Sequence, residues 1–188
     1  MILMDSNFKN TIELNSIDIS YEGFRLPDRR RQQMLLSSIA EKGILEPLQG
    51  IAKDENKFIL LDGFKRLTCA QKLNLHKVPF EAIAANETSG IIKFLKISNS
   101  KSLHIFEQAK LVEELRTVHQ MSIRDIAIKL ERSSGWVSTR ISFLKDMTPL
   151  VQERIFKGHF PASSAAYKLR QFKRLNKINN SEIDKKKK

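Results

Sequence analysis

Two short stretches of this chain carry residues whose types and spacing point to chemistry, and in both the chemistry is hydrogen bonding to an anion or a polar edge. From Ser122 to Leu144 the chain reads SIRDIAIKLERSSGWVSTRISFL. After the polar break Glu131-Arg132-Ser133-Ser134-Gly135, the residues Val137, Ile141 and Leu144 share one helix face, which leaves Ser134, Ser138, Thr139 and Arg140 facing outward. The second stretch is Gly63-Phe64-Lys65-Arg66. There a side-chain-free residue lets an anion approach backbone N–H groups, and two cations crowd a helix start. The plainer reading is a turn with solvated Lys65 and Arg66.

Bond-making chemistry finds few candidates. Cys69 is the single cysteine, so no internal disulfide can form, and its place among apolar positions in RLTCAQKL predicts a small buried thiol. His76, His104, His119 and His159 are scattered without metal-ligand spacing, so no metal site and no catalytic residue is expected.

The elements that must position the outward face are two helices. Ile123, Ile126, Ala127 and Leu130 follow helical spacing behind a capping box of Ser122 with Asp125. Ala127 is small where two helices of a helix-turn-helix approach, and Val137 sits where the second plugs back into the first. Glu131 occupies the turn position where glycine is common. The alternative is an ordinary helical hairpin within a helical core.

Before this motif the pattern is mixed. Thr11 to Ile19 alternates like a strand, Arg29 to Lys42 reads as a helix with a Met34-Leu35-Ile39 stripe, and Gly43 stops it. Arg29, Arg30 and Arg31 open that helix as a solvated basic face. Leu48 to Ile51 and Phe58 to Leu61 suggest a hairpin, Phe64 to Leu73 a helix, Val78 to Ile83 a strand and Gly90 to Ile97 a helix. Phe106, Ala109, Leu111, Leu115 and Val118 then line a helix leading into the motif. Thr148 and Pro149 start another, with Val151 and Ile155 inward, and Pro161 begins a last basic one.

The fold class predicted is therefore α+β: a small mixed α/β domain over residues 1–99, an all-α domain over 100–175, and a basic, disordered tail over 176–188. The 188 residues carry 33 Lys+Arg against 21 Asp+Glu, a net charge of +12, the electrostatic footprint of a nucleic-acid binder. No apolar run approaches the roughly 20 residues of a membrane-spanning helix, and the first residues lack the pattern of a signal peptide. A cytoplasmic, DNA-associated protein is expected.

The order LLDGFKRLTCAQKLNLHKVP, a linking helix, then SIRDIAIKLERSSGWVSTRISFLKDMTPLVQERIFKGHFP resembles the ParB family of partition and spacer-type DNA-binding proteins, from about Ser16 to Phe172. The resemblance implies a ParB/sulfiredoxin-like N-terminal domain and a helix-turn-helix domain that binds double-stranded DNA as a homodimer, in partition with a partner ATPase or in mobile-element regulation. It places Ser133, Ser134, Gly135, Ser138 and Thr139 at the bases and Arg132, Arg140 and Lys145 at the phosphates. It also implies CTP with Mg2+ in a clamp, at Gly63, Lys65, Arg66 and Asn99. Phe64 stands where the family has an acidic residue, Lys65 replaces an arginine, and Ser98 replaces a glutamate beside Asn99. CTP hydrolysis is the enzyme activity the family allows. Sulfiredoxin chemistry needs a cysteine where Phe64 stands, and a nuclease needs a metal-holding cluster that is not found. The rival reading is a non-specific nucleic-acid coat or RNA-binding protein whose first domain only mediates protein contacts.

Overall fold

The computed structural model describes residues 10–54, 56–98, 103–168 and 171. The chain divides into two compact units, Met1–Ser102 and Leu103–Lys188.

The first unit is a five-stranded sheet in the order β1-β5-β3-β4-β2 with three helices. The alternating stretch Thr11 to Ile19 is not one strand. It is β1 (Thr11–Glu13), a single 3-10 turn (Leu14–Ser16) and β2 (Ile17–Asp18). The break lets β1 pair antiparallel with β5 (Lys77–Ala84) at one edge and β2 pair parallel with β4 (Lys57–Asp62) at the other. Alternation along a strand reports which face is buried but not which neighbour it meets.

β3 (Leu48–Asp54) is central, antiparallel to β4 and parallel to β5, and Leu48, Ile51, Leu60 and Leu61 are fully buried along this hairpin. Helix α1 (Arg29–Lys42) starts at Asp28, whose Oδ1 accepts from the Arg31 N–H at 3.0 Å. Its inward face is Gln32, Leu35, Leu36 and Ile39, so Met34, expected in the stripe, is 59% exposed. Leu35 and Ile39 lie on the i, i+3, i+4, i+7 face that starts at Gln32, and Met34 falls outside it. Arg29, Arg30 and Arg31 are exposed.

Helix α2 (Phe64–Lys72) leaves β4 through Asp62-Gly63, burying Phe64, Leu67, Cys69 and Ala70. Helix α3 (Glu87–Ile97) is capped by Asn86 and lies on the sheet at Gly90, where an added Cβ would come within 2.7 Å of the Ile51 side chain. Close approach of helix to sheet is the reason for that glycine.

The second unit is helical. α4 (Ile105–Thr117) opens with a reciprocal cap at His104: Nδ1 accepts from the Phe106 N–H at 3.3 Å, and Glu107 accepts from the His104 N–H at 2.7 Å. α5 (Ile123–Leu130), α6 (Ser134–Lys145) and α7 (Pro149–Phe156) follow, with residues 162–168 helical beyond them. Their core is Phe106, Val112, Leu115, Ile126, Ala127, Leu130, Val137, Ile141, Phe143, Leu144 and Ile155. Burying such side chains is worth about 1.5–3 kcal/mol each, less the entropy of ordering them. Val118 and Val151, expected inward, are 61% and 37% exposed. Val118 lies beyond the last residue of α4, and on α7 the buried apolar position is Ile155. The 176–188 tail lies outside the described residues.

Candidate nucleic-acid interface

α5 begins at Ser122, whose Oγ accepts from the Asp125 N–H at 3.1 Å and donates to Asp125 Oδ2 at 2.6 Å. Ile126, Ala127 and Leu130 are buried as their spacing predicts, whereas Ile123, in the first turn, is 36% exposed. The helix ends in a Schellman arrangement: the Glu131 N–H donates to Ile128 O at 3.1 Å and the Arg132 N–H to Ala127 O at 2.9 Å. This requires left-handed backbone at Glu131, with φ 56 and ψ 45. A glutamate therefore holds the conformation that glycine usually takes, and the turn closes without one.

Ser133 caps α6, its Oγ accepting from the Trp136 N–H at 3.1 Å. Ser133 is thus committed to the turn. Val137, Ile141, Phe143 and Leu144 are buried, which leaves Ser134, Gly135, Ser138, Thr139 and Lys145 exposed on the outer side of one helix. Thr139 Oγ1 donates to Gly135 O at 2.7 Å, so its hydrogen is spent inside the helix and its oxygen remains an acceptor. Gly135 has space around it: among the described residues an added Cβ would meet only Ser133 Oγ, at 3.8 Å.

Arg140 is placed differently from its neighbours. It is half-buried, and its guanidinium lies 3.7 Å over the Trp136 ring and donates from Nε and Nη2 to Gln108 Oε1 on α4, at 3.2 and 3.1 Å. An arginine expected to lie along phosphates is bound to its own unit. Arg132, at the turn, is exposed and lies 5.9 Å from the same ring.

The first unit holds the other candidate set. Gly63 is the left-handed residue (φ 102) at which β4 turns into α2, and a Cβ there would lie 2.9 Å from Leu48 Cγ. Backbone conformation and packing both demand glycine at this point, without reference to a ligand. Arg66 donates to Asp62 Oδ2 at 3.0 Å and reaches Glu46 through its carbonyl oxygen at 3.0 Å and its carboxylate at 3.3 Å. Arg25 pairs with the other Asp62 oxygen at 3.2 Å and stacks on Phe94 at 5.4 Å. Two cations and two carboxylates therefore form a formally neutral cluster beside the turn. Lys65 is half-buried, and Asn99 lies outside the described residues. Ser98 is buried and uncharged.

Two features of this set oppose a nucleoside triphosphate in its present pairing. Asp62 already occupies the two guanidinium groups and would repel a phosphate, and Ser98 supplies no carboxylate for a metal. Among the described residues no group of three or more His, Cys, Asp and Glu side chains could hold a metal ion, and no helix is long and apolar enough to cross a membrane.

Sequence reasoning missed Arg25, Asp62 and Gln108. Asp62 had a signal, since it stands four residues before Arg66. Arg25 and Gln108 had none, because their partners are 37 and 32 positions away.

No protein-family model matches the chain, and no curated protein matches it. Solved structures do. The Pnob8-like ParB-N domain superposes with a TM-score of 0.51 at 16% identity, covering 90% of this chain and 81% of that one. The fold is of the ParB type. Two structures of the C-terminally truncated ParB from Caulobacter crescentus also match at 20% identity over 83% of this chain. One is complexed with CTP-gamma-S (TM-score 0.40, 88% of that chain) and one with the centromeric parS site (TM-score 0.34, 81% of that chain).

Proposed function

We propose that the chain is a sequence-specific, double-stranded DNA-binding protein of the ParB type, acting as a homodimer in plasmid or chromosome partition or in mobile-element regulation. α5, the Glu131-Arg132-Ser133 turn and α6 form its helix-turn-helix, and α6 enters the major groove. The observation that carries this reading is the division of α6 into a fully buried face and an exposed face of Ser134, Gly135, Ser138, Thr139 and Lys145. Small residues let the helix come close to base edges, and Lys145 on the same side supplies a phosphate contact. The ParB-type fold and the charge of +12 support the same reading.

Selection from a random duplex pool tests it. Enrichment of an inverted repeat is the expected result, since a dimeric reader imposes its two-fold symmetry on the site. A pool that emerges without any enriched motif would replace this reading with a non-specific coat. A partner ATPase would act with the partition version and has no bearing on the pool.

For the first unit the family's ligand would be CTP with Mg2+ at Gly63, Lys65, Arg66 and Asn99. The pairing of Arg66 with Asp62 and Glu46 favours the other reading, in which this unit mediates protein contacts. Calorimetry with CTP, with and without cognate duplex, separates them: heat in either condition returns CTP as this unit's ligand, and no heat at millimolar CTP in both removes the clamp.

A further inference from the structure

The single arginine of α6 does not lie on its outer face. Arg140 bridges from α4 to the first turn of α6. Its Nε and Nη2 converge on Gln108 Oε1 at 3.2 and 3.1 Å, its Nη1 donates to the Trp136 carbonyl at 3.4 Å, and its plane covers the Trp136 ring at 3.7 Å. The Gln108 amide is itself held, because Nε2 donates to the Leu103 carbonyl at 3.2 Å and so turns Oε1 toward Arg140.

We infer that Gln108 is a positioning residue for α6: through the Arg140 guanidinium and the Trp136 indole it fixes the rotation of the helix whose outer face is proposed to read DNA. The inference rests on that DNA reading and adds a residue to it. Val137, Ile141 and Leu144 hold α6 against the unit by burial, which is non-directional and tolerates small rotations about the helix axis. Two N–H groups meeting one oxygen, with the guanidinium stacked on a ring, set a direction as well as a distance. Base readout needs that second constraint, since recognition groups must be held within roughly 0.5 Å of their productive place. Gln108 is half-buried on a different helix and its hydrogen bond to α6 is to Arg140, so its effect on DNA passes through that side chain.

Trp136 is the only tryptophan, so its emission reports on this contact in the full chain without DNA. The variants are Gln108→Ala, Gln108→Met, which keeps side-chain length and helix propensity while removing the acceptor, and Gln108→Glu, whose carboxylate can accept the same two N–H groups. Emission is read alongside the ratio of binding to a pool-selected duplex over a scrambled one. The expected result is an emission shift in the Ala and Met variants and a fall of about tenfold in the ratio. Binding to the scrambled duplex stays near that of the parent, and Glu restores both readouts. Parent-like emission and ratio in Gln108→Met overturn the inference. So does an equal loss on both duplexes, which marks a merely structural residue, or an emission shift with no change in ratio. A parent ratio near one overturns the DNA reading itself and the positioning role with it.

Discussion

Arg66 Nη2 lies 3.0 Å from Asp62 Oδ2, across the turn at Gly63. A basic residue at a helix start reads in sequence as an invitation to an anion, and here the chain supplies its own. Arg25 takes the second Asp62 oxygen, and only 14% and 15% of the Arg66 and Arg25 side chains are exposed. Asp62→Ala should therefore cost about 1–3 kcal/mol, because two mostly buried guanidinium groups lose the carboxylate they share. Urea unfolding measures this, and a variant as stable as the parent would show the pairing to be dispensable. Asp62→Asn should also acquire a melting temperature that rises with inorganic phosphate, as the parent's does not.

The glycines separate into two kinds. Gly63→Ala should lower stability by more than about 1 kcal/mol, because φ 102 and the approach to Leu48 both oppose a Cβ. Gly135→Ala should raise stability by about 0.5 kcal/mol, since among the described residues a Cβ there would meet Ser133 Oγ alone, at an ordinary 3.8 Å. If α6 lies in a groove as proposed, Gly135→Ala weakens duplex binding while it stabilises the free protein. Thermal melts and binding to the selected duplex, done on the same sample, check both signs.

Thr139 has an acceptor to offer and no hydrogen to give, so its base partner should be an amino group, adenine N6 or cytosine N4. Thr139→Val keeps the shape and removes the acceptor, and should relax preference at one position of the enriched motif. The double change Ser138→Ala with Thr139→Ala should relax more positions. Lys145→Ala should weaken all duplexes alike and reduce the salt slope by about 1. An unchanged motif from the double variant would remove α6 from the groove.

Cys69 is fully buried, with its Sγ 3.5 Å from the Gln32 carbonyl. Burial outweighs the nearby Lys72 and pushes the thiol above its ordinary range. The sign follows: the folded chain favours the neutral thiol, so this contribution is complete below the unfolded thiol's pKa and is lost as pH rises through the folded one. A thiol reagent at neutral pH should label native protein far more slowly than urea-unfolded protein. Equal rates would place the thiol at the surface.

Glu131 tests the turn between the two helices. A β-branched residue tolerates left-handed backbone worse than glutamate, so Glu131→Val should cost about 1–2 kcal/mol while Glu131→Gly is tolerated. Chemical denaturation of both variants decides it, and equal stability would mean the turn does not need this conformation.

Local physics made much of this protein legible from its residues alone. The Ser122 and Thr148 caps, the Gly43 stop, the buried faces of α5 and α6 around Ala127 and Val137, the β3–β4 hairpin and the buried Cys69 all depend on near neighbours and on 2.0- or 3.6-residue periodicity, whereas Ser133, expected at the bases, is a cap that only the structure showed. The order of those pieces also sufficed for the resemblance to ParB proteins, whose fold the chain shares. What periodicity could not supply was the identity of distant partners. Thr11 to Ile19 alternates whether or not a 3-10 turn divides it between two sheet edges. Arg66 and Arg140 carry the same charge whether they face solvent, a phosphate, or Asp62 and Gln108. Hydrogen bonds and ion pairs act over a few ångströms, and only the folded chain decides which residues come that close. The same limit explains why the exposure of Ser134, Ser138 and Thr139 could be read from spacing while Arg140, expected beside them, turned out to be held by Gln108.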